Sequence, residues 1–461
     1  MGMPTIGWLR GVLAADASAL SRDLPLGPIS IDTRTLLAGD TFWAIRARRD
    51  GHDFVSEAFA RGAKAAVVSS EWKRSAEATP YLERLIGVSD TREALRRAAT
   101  EWRTAWRFPV IGVTGSNGKT STKELIALLL AVHMRTGSTQ GNLNNDIGVP
   151  LTLLAISSDS EAAVVEMGAS HAGEIADLCG ICRPTHGLVT SVGRAHLEGF
   201  DSLEAVARTK GELYDFVAES GTAFVPTDDE LCQAESREAR HRVGYGFHPR
   251  PSDWSAEFHA GTNLCFDSLA QASFEFHRTT IQLGSAGRPA ALSALAALTV
   301  AFTFNIAPEE CVPVIAGWQG FRSRGEVIHT SRIVILDDSY NANPTSMRAA
   351  LETLSLLRAE RRVAILGDMN ELGMSAEHEH RELGRELKPY GVDAAILIGE
   401  MAALAAGEAR AAGLDVQTYP SFDAMGPQWL DSLRAGDAVL VKGSRSARLE
   451  RVVEELKRSF A

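Results

Sequence analysis

A glycine-rich stretch near residue 115 has the residue types of a phosphate-binding loop. The β-branched run 110–114 is followed by Gly-Ser-Asn-Gly-Lys-Thr and then by a helical pattern over 119–134. Backbone N–H groups in such a turn, together with the N-terminus of the following helix, favour phosphate oxygens. Lys119 can reach the β- and γ-phosphates of a nucleotide, and the Thr120 hydroxyl can bind Mg²⁺. The predicted ATP-binding residues here are Thr114, Gly115, Ser116, Asn117, Gly118, Lys119, Thr120 and Ser121.

This loop is a variant of the generic phosphate-loop pattern. Val113 stands where that pattern has its first glycine, so Gly115 is the first glycine of the pair. A strand-to-helix turn that uses Gly and Asn only for its geometry is the alternative. That alternative does not explain Lys119, because a lysine without an anion would oppose the positive end of the helix dipole.

Two further chemically competent residues follow apolar runs that read as strands. Glu166 comes directly after the run 162–165, and His196 lies shortly after the run 187–190. Ligand crevices form at the carboxyl ends of strands in open α/β sheets. We therefore expect Glu166, His196 and the Thr120 hydroxyl to converge on one crevice and to form a Mg²⁺ site.

Other candidates have simpler interpretations on residue type alone. Lys210 lies in a helical pattern, where a solvated lysine is the ordinary interpretation. Cys179 and Cys182 form a single C-x-x-C pair without a second pair, which favours packing over metal binding or redox chemistry. The charged tract 377–380 (Glu-His-Glu-His) is interpreted mainly as a solvated helix start.

The order of strand-like and helix-like segments indicates an α/β protein of three domains. Short apolar runs alternate with helical patterns in all three parts, which predicts parallel sheets covered by helices. The predicted architecture is a small N-terminal α/β domain (1–105), a central phosphate-loop ATPase domain with a parallel sheet (106–325) and a C-terminal Rossmann-like domain (326–461). Alternating residues within 254–283 predict an antiparallel edge or a small antiparallel sheet, and the charged helical pattern 91–107 is interpreted as a hinge into the central domain.

Composition further limits the class of protein and its expected location in the cell. The chain has 461 residues, is 45% hydrophobic and 23% charged, and carries a net charge of −11, which argues against binding nucleic acid. Its longest mostly apolar stretch, 289–302, is shorter than the about 20 residues that a membrane-spanning helix needs. Five cysteines and the absence of a secretory pattern at residues 1–11 predict a cytoplasmic protein without membrane insertion. We expect it to be a monomer.

Nine segments of the sequence resemble the Mur ligase family, whose members form amide bonds in peptidoglycan precursors. They are TGSNGKT (114–120), GNLNNDIGVP (141–150), EMGA (166–169), AHLEGF (195–200), DDSYNANP (337–344), LGDMNELG (366–373), VKGSR (441–445), IDTR (31–34) and DGHDF (50–54). The C-terminal segments are most similar to the branch that adds D-alanyl-D-alanine to UDP-N-acetylmuramoyl-tripeptide. The resemblance implies an ATP-dependent carboxylate–amine ligase with an acyl phosphate intermediate, two Mg²⁺ ions and those two substrates.

The resemblance also implies roles for individual residues. Catalytic roles fall to Lys119, Lys210, His196 and Glu166, with Thr120, Glu166, His196 and Lys210 as metal ligands and Lys210 carbamylated by CO₂. Nucleotide contacts in the C-terminal part fall to Arg324, Asp338, Tyr340, Asn341 and Asn343. Substrate contacts fall to Thr33, Arg34, Asp50, His52, Asn144, Asn145, Lys442 and Ser444.

The sequence also departs from the family pattern and leaves alternatives open. Pro289 and Ala290 stand where the family usually has a His-Asn pair, which leaves the recognition of adenine undecided. Another ligase of the same family and a folate polyglutamate ligase are the alternative enzymes. A module that binds a nucleotide only to switch conformation is the non-enzymatic alternative, and the predicted second metal site argues against it.

Overall fold

The computed structural model describes residues 4–15, 20–195, 197–200 and 202–461. They form three sheets, one in each of three successive parts of the chain, each covered by helices. The predicted three-domain α/β fold class is therefore confirmed. None of the described helices is both long enough and apolar enough to span a membrane.

The first domain is built on a four-stranded parallel sheet in the order β1-β2-β3-β4. Its strands are β1 (Ile29–Ser30), β2 (Thr41–Trp43), β3 (Ala65–Ser69) and β4 (Leu85–Val88). Its helices are α1 (Ile6–Leu13), α2 (Val55–Ala60), α3 (Ser70–Lys73) and α4 (Thr91–Thr104). The Asp90 side chain caps α4 by accepting hydrogen bonds from the N–H groups of Arg92 and Glu93.

The second domain contains a nine-stranded sheet in the order β13-β12-β11-β10-β9-β8-β5-β7-β6. The strands are β5 (Val110–Thr114), β6 (Thr136–Ser138), β7 (Ala162–Glu166), β8 (His186–Val189), β9 (Thr222–Pro226), β10 (His241–Gly246), β11 (Glu257–Phe266), β12 (Gln271–Phe276) and β13 (Thr279–Ala286). Strands β5 and β7 are fully buried, as expected for central parallel strands covered on both faces. The predicted antiparallel part is confirmed in β11, β12 and β13.

In the described part of this domain, seven helices connect and flank these strands. They are α5 (Lys119–Leu130), α6 (Gly148–Ala155), α7 (Glu174–Cys182), α8 (Leu203–Val217), α9 (Glu230–Glu235), α10 (Arg288–Thr303) and α11 (Pro308–Gly317). Helix α5 is shorter than the predicted 119–134, because residues 131–134 leave the helix in a turn. Helix α10 packs against α5, which places the start of α10 beside the glycine-rich loop 115–118 that joins β5 to α5. This loop is called the phosphate-type loop below.

The third domain has a six-stranded sheet in the order β14-β15-β19-β16-β17-β18, parallel except for the pair β14–β15. Its strands are β14 (Glu326–His329), β15 (Val334–Asp337), β16 (Arg361–Gly367), β17 (Ala394–Ile398), β18 (Asp415–Tyr419) and β19 (Asp437–Lys442). Its helices are α12 (Pro344–Leu356), α13 (Ala376–Glu386), α14 (Ala405–Ala411) and α15 (Glu450–Ser459). The Asn343 side chain caps α12 by accepting a hydrogen bond from the N–H of Ser346.

The first two domains share one apolar core. Trp102 of α4 is buried with Ile175 and Leu178 of α7, and its indole N–H donates to the Ile156 carbonyl over 3.0 Å. The interpretation of 91–107 as a hinge was wrong, because this helix is packed into the second domain. The charged composition of α4 gave no indication of this packing, because its few apolar residues all lie on the buried face.

Candidate functional site

The glycine-rich loop turns between β5 and α5 in a conformation that only glycine accommodates. Gly115 has φ of +140°, and a Cβ atom there would lie 2.1 Å from the Thr190 hydroxyl oxygen. Gly118 has φ of +79° and occupies the N-cap position of α5 without a side-chain cap. The N–H groups at the start of α5 are therefore available to an anion, as the sequence predicted.

Lys119 folds back over this loop. Its ammonium group donates to the carbonyl oxygens of Gly115 (2.7 Å) and Ser116 (3.3 Å). Desolvation lowers the pKa of Lys119 below its usual value, and the Glu166 carboxylate opposes that shift. A cation that donates to carbonyl oxygens in a desolvated site is well placed to bind phosphate oxygens.

Glu166 ends β7 beside the last residues of β5, because Val113 and Glu166 are register partners. One carboxylate oxygen accepts a hydrogen bond from the Asn144 side-chain amide over 2.8 Å. The other oxygen, Oε2, is buried and has no hydrogen-bond partner among the described residues. A buried anionic oxygen of this kind requires a cation or another donor. Thr120 lines the same cavity, so the pair fits the oxygen donors that Mg²⁺ prefers.

Lys210 lies on α8 with its side chain nearly fully buried. Its ammonium group donates to the Ala169 carbonyl over 3.0 Å and lies 5.6 Å from the centre of the Phe200 ring. Burial, followed by the positive charge of Lys119, lowers the pKa of Lys210 to about 7. The interpretation as a solvated lysine is therefore wrong, because 2% of the side chain is exposed. His196 lies outside the described residues.

A cavity of about 610 Å³ lies between the second and third domains. Its walls include many of the predicted residues of both domains, namely Ser116, Asn117, Gly118, Lys119, Thr120, Ser121, Asn144, Glu166, Arg324, Asp338, Tyr340, Asn341, Asn343 and Lys442. Pro289 and Ala290, at the start of α10, lie on the same walls. Candidate residues of the phosphate-type loop and of the C-terminal part, which are about 200 or more positions apart in the sequence, therefore line the same cavity.

On the third-domain side of the cavity, Lys442 donates to the carboxylate of Asp338 and to the carbonyl of Asn341. Desolvation raises the pKa of Asp338, and the charge of Lys442 opposes that shift. The Arg324 guanidinium stacks 3.9 Å from the centre of the Tyr340 ring. The two asparagines Asn343 and Asn117 join the domains, with the Asn343 amide donating to Asn117 Oδ1 over 2.9 Å.

The remaining predicted residues do not line this cavity in the described part of the chain. Thr33, Arg34, Asp50 and His52 belong to the first domain, where Asp50 and the Ser69 N–H occupy both ring nitrogens of His52. Thr114 is buried beneath the loop, and the Asn145 side chain accepts from the N–H of Gly148. The Ser444 hydroxyl accepts from the N–H of Asn370.

The sequence did not predict the positions of two further groups of residues. Asp228 and Tyr245 lie on the cavity wall close to the ends of β9 and β10, and the same strand-end reasoning that found Glu166 could have found them. Lys123 is buried and donates to the Thr139 carbonyl, while the Thr139 hydroxyl accepts from the N–H of Glu166. Its spacing of four residues from Lys119 on one helix was the available signal.

Two other side-chain clusters have structural roles. Cys179 and Cys182 are both buried free thiols, as the packing interpretation predicted. Within the tract 377–380, the solvated-helix interpretation is wrong for Glu379 and His380, which are buried. His380 accepts from the Met369 N–H and contacts the Ala376 carbonyl, so both of its ring nitrogens are engaged.

The fold and site define a three-domain α/β protein with a phosphate-type loop that faces the third domain across a cavity. Family models match all three parts: the Mur ligase family catalytic domain at 27–103, the Mur ligase middle domain at 113–301 and the glutamate ligase domain of Mur ligases at 323–445. The chain belongs to the Mur ligase family, and it is a ligase.

Individual relatives match over nearly the whole chain. UDP-N-acetylmuramoyl-tripeptide–D-alanyl-D-alanine ligase of Bacillus subtilis is 33% identical over 93% of this chain and 92% of that protein. The crystal structure of MurF from Acinetobacter baumannii is 29% identical, has a TM-score of 0.86 and covers 99% of both chains. MurF ligase from Thermotoga maritima in complex with ADP is 28% identical, has a TM-score of 0.78 and covers 94% of this chain and 98% of that one.

Proposed function

We propose that this chain uses ATP to join D-alanyl-D-alanine to UDP-N-acetylmuramoyl-tripeptide in the synthesis of peptidoglycan precursors. The supporting observation is the cavity, in which a phosphate-type loop, an unpartnered carboxylate oxygen and the third domain meet. The similarity to UDP-N-acetylmuramoyl-tripeptide–D-alanyl-D-alanine ligase of Bacillus subtilis over 93% of this chain supports the choice of substrates. We assign the reaction to the cytoplasm, where ATP and UDP-linked precursors are available.

The chemistry requires activation of a carboxylate, which is a poor electrophile. A carboxylate oxygen attacks the γ-phosphorus, the bond to ADP breaks, and an acyl phosphate forms. The amine of the dipeptide then attacks the acyl carbon, phosphate departs and the nitrogen loses a proton. Positioning is the main contribution asked of the protein, on the order of 7–11 kcal/mol in favourable cases.

Lys119 and the N–H groups at the start of α5 bind the phosphate oxygens. Lys119 exchanges its bonds to the carbonyls of Gly115 and Ser116 for bonds to the transferring phosphoryl group. The N–H groups at the start of α5 are fixed by the fold before the reaction, so they stabilise the developing charge with little reorganisation.

The residues that would hold Mg²⁺ are Thr120 and Glu166, with His196 and a modified Lys210 completing a second position. Bound there, Mg²⁺ neutralises charge between the nucleotide and the acceptor carboxylate. Asn144 fixes Glu166 Oε1 and leaves Oε2 free for the ion. The buried oxygen without a partner supports this assignment.

The surroundings of Lys210 support its carbamylation by CO₂, which the family resemblance implies. A pKa of about 7 keeps much of the amine neutral near pH 7, and a neutral amine adds to CO₂ by forming an N–C bond and releasing a proton. The carbamate replaces a cation that Lys119 repels with an anion that Lys119 attracts. A Lys210→Ala variant should therefore lose activity and regain part of it with added short carboxylates.

The three domains divide the substrates among them. We assign residues 1–105, with Thr33, Arg34, Asp50 and His52, to the UDP group, and residues 106–325 to the phosphates and metal. The nucleoside is assigned to Asp338, Tyr340, Asn341 and Asn343 of residues 326–461, together with Arg324, which stacks on Tyr340. The acceptor and the dipeptide are assigned to Lys442 and Ser444 of the same domain and to Asn144 and Asn145 of the second domain. Approach of the third domain excludes water, which otherwise hydrolyses the acyl phosphate.

The test is phosphate release measured with each substrate added in turn. The wild type should release phosphate only when ATP, the UDP-tripeptide and the dipeptide are all present. Lys119→Ala should abolish this release while leaving binding of the UDP-tripeptide intact, because the first domain is untouched. Release that follows a different acceptor, such as a folate, would reject the assigned substrates, and turnover by the variant would reject the role of Lys119.

A further inference from the structure

An ion pair crosses the boundary between the second and third domains at Arg194 and Glu379. The Arg194 guanidinium donates to Glu379 Oε1, although these residues are 185 positions apart. Only 1% of the Glu379 side chain is exposed, whereas 49% of the Arg194 side chain is. Glu379 Oε2 is buried and makes no hydrogen bond within the described chain. A carboxylate buried in this way is strongly disfavoured unless a cation compensates it.

Arg194 is the main cation available to Glu379. Arg348 lies 3.6 Å from Oε2, but its Nε atom donates to both carboxylate oxygens of Glu386, at 2.8 and 2.9 Å. Exposed ion pairs commonly contribute little to stability, because water screens both charges. This pair differs, because separating the domains would leave Glu379 without its closest charge partner.

The residues on either side of Arg194 connect the phosphate-type loop to the third domain. The Gly193 N–H donates to the Ser116 hydroxyl over 2.9 Å, and that hydroxyl donates back to the Gly193 carbonyl over 3.1 Å. The N–H of Arg194 donates to the Thr345 hydroxyl at the start of α12. Ser116 belongs to the predicted phosphate site, so a path of direct contacts runs from that site to α12 and α13.

A second contact holds the same segment farther along. The N–H of Glu198 donates to the Glu371 carbonyl over 3.0 Å, and Gly373 lies directly against Glu198. Arg194 and Glu198 are therefore both held by contacts with the third domain. Gly193, the residue before Arg194, is hydrogen-bonded to Ser116, so its position depends on both domains.

We propose that Arg194 and Glu379 are positioning residues that couple the approach of the third domain to the geometry of the phosphate-type loop. The pair forms only when the third domain is docked, and it then holds the adjacent Gly193 against Ser116. Phosphoryl transfer is thereby restricted to the docked enzyme, in which the acyl phosphate is protected from water. This inference rests on the proposed ligase function.

The experiment compares Arg194→Ala with Arg194→Lys and with a matched control, Arg381→Ala. Arg381 pairs with Glu377 on the surface of α13, so its loss removes an arginine–glutamate pair without touching the domain boundary. Phosphate and ligated product are measured in the same reaction. We expect Arg194→Ala to lower kcat for product about tenfold, the effect of losing one charge-assisted hydrogen bond, with the KM for the UDP-tripeptide unchanged. More than one phosphate should be released for each product, and Arg194→Lys should restore part of the coupling.

Small-angle scattering in the presence of a non-hydrolysable ATP analogue tests the pair without turnover. Arg194→Ala should have a larger radius of gyration than the wild type and Arg381→Ala, at an equal thermal unfolding midpoint. Equal radii, or a phosphate-to-product ratio that stays at one, would overturn the proposal. A wild type that is compact but inactive with the assigned substrates would instead reject the ligase function and leave the scattering result to decide on the pair.

Discussion

The two domain boundaries of this protein are formed by different kinds of contact. Between the first and second domains, Trp102 lies in a continuous apolar core with Ile175 and Leu178, and Arg103 donates to the carbonyls that end α7. Between the second and third domains, the contacts described above are largely polar, with the pairs Asn117–Asn343 and Arg194–Glu379 among them, and the apolar contribution is small, with Ala270 joining the core of the third domain. Exposing buried apolar surface to water costs free energy, whereas polar groups can replace their hydrogen bonds to protein with hydrogen bonds to water. We therefore expect the first two domains to move as one body and the third domain to separate more readily.

The largest expected effect comes from breaking the apolar boundary. Trp102→Ala should lower the free energy of unfolding by about 3–5 kcal/mol, because it removes a buried indole and leaves a cavity. Urea unfolding followed by circular dichroism measures the change. Trp102→Phe keeps most of the apolar contact and is the control, with a clearly smaller loss expected. A loss below about 1 kcal/mol for the alanine variant would contradict a shared core.

A smaller effect, mainly on activity, is expected at the polar boundary. Asn343→Ala removes both the bond to Asn117 and the cap of α12, whereas Asn343→Ser keeps a capping hydroxyl and loses only the amide. We expect both variants to lower kcat about tenfold. Only the alanine variant should lose about 1 kcal/mol of stability. Steady-state kinetics and thermal unfolding of the pair separate the two roles, and full activity of the serine variant would show that the amide contact is dispensable.

The smallest effect is expected where an ion pair sits on the apolar boundary. Arg92 of α4 donates to the carboxylate of Asp146 in the second domain, and both side chains are partly exposed. Arg92→Ala should cost less than about 1 kcal/mol, since the buried core already holds these domains together. Chemical unfolding and ligase assays at low and high salt measure it. A large loss would mean that charge, not the apolar core, joins the first two domains.

Local sequence patterns were sufficient to predict the phosphate-type loop and the placement of Glu166. Both depend on strand ends, and a run of buried β-branched residues identifies a central parallel strand with its carboxyl end. The antiparallel segment β11–β13 followed from alternation in the same way. These features are set by residues that are close together in the chain.

The burial of Glu379 and the packing of α4 could not be predicted in this way. Glu379 lies in a tract of charged residues, and only a partner 185 positions away explains why it is buried. Helix α4 has a polar composition, and its contribution to a core depends on α6 and α7, which follow later in the chain. Long-range pairing of this kind leaves no local signal in a single sequence.

Gly193 gives the polar boundary a further property. A Cβ atom at this position would lie 2.7 Å from the Thr345 hydroxyl oxygen of the third domain, while the Gly193 backbone is bonded to Ser116 on the other side. A larger residue here would force the Thr345 side chain or the domain boundary to shift. We therefore expect Gly193→Ala to disfavour docking of the third domain, and such a variant would help to find compounds that prefer the undocked arrangement.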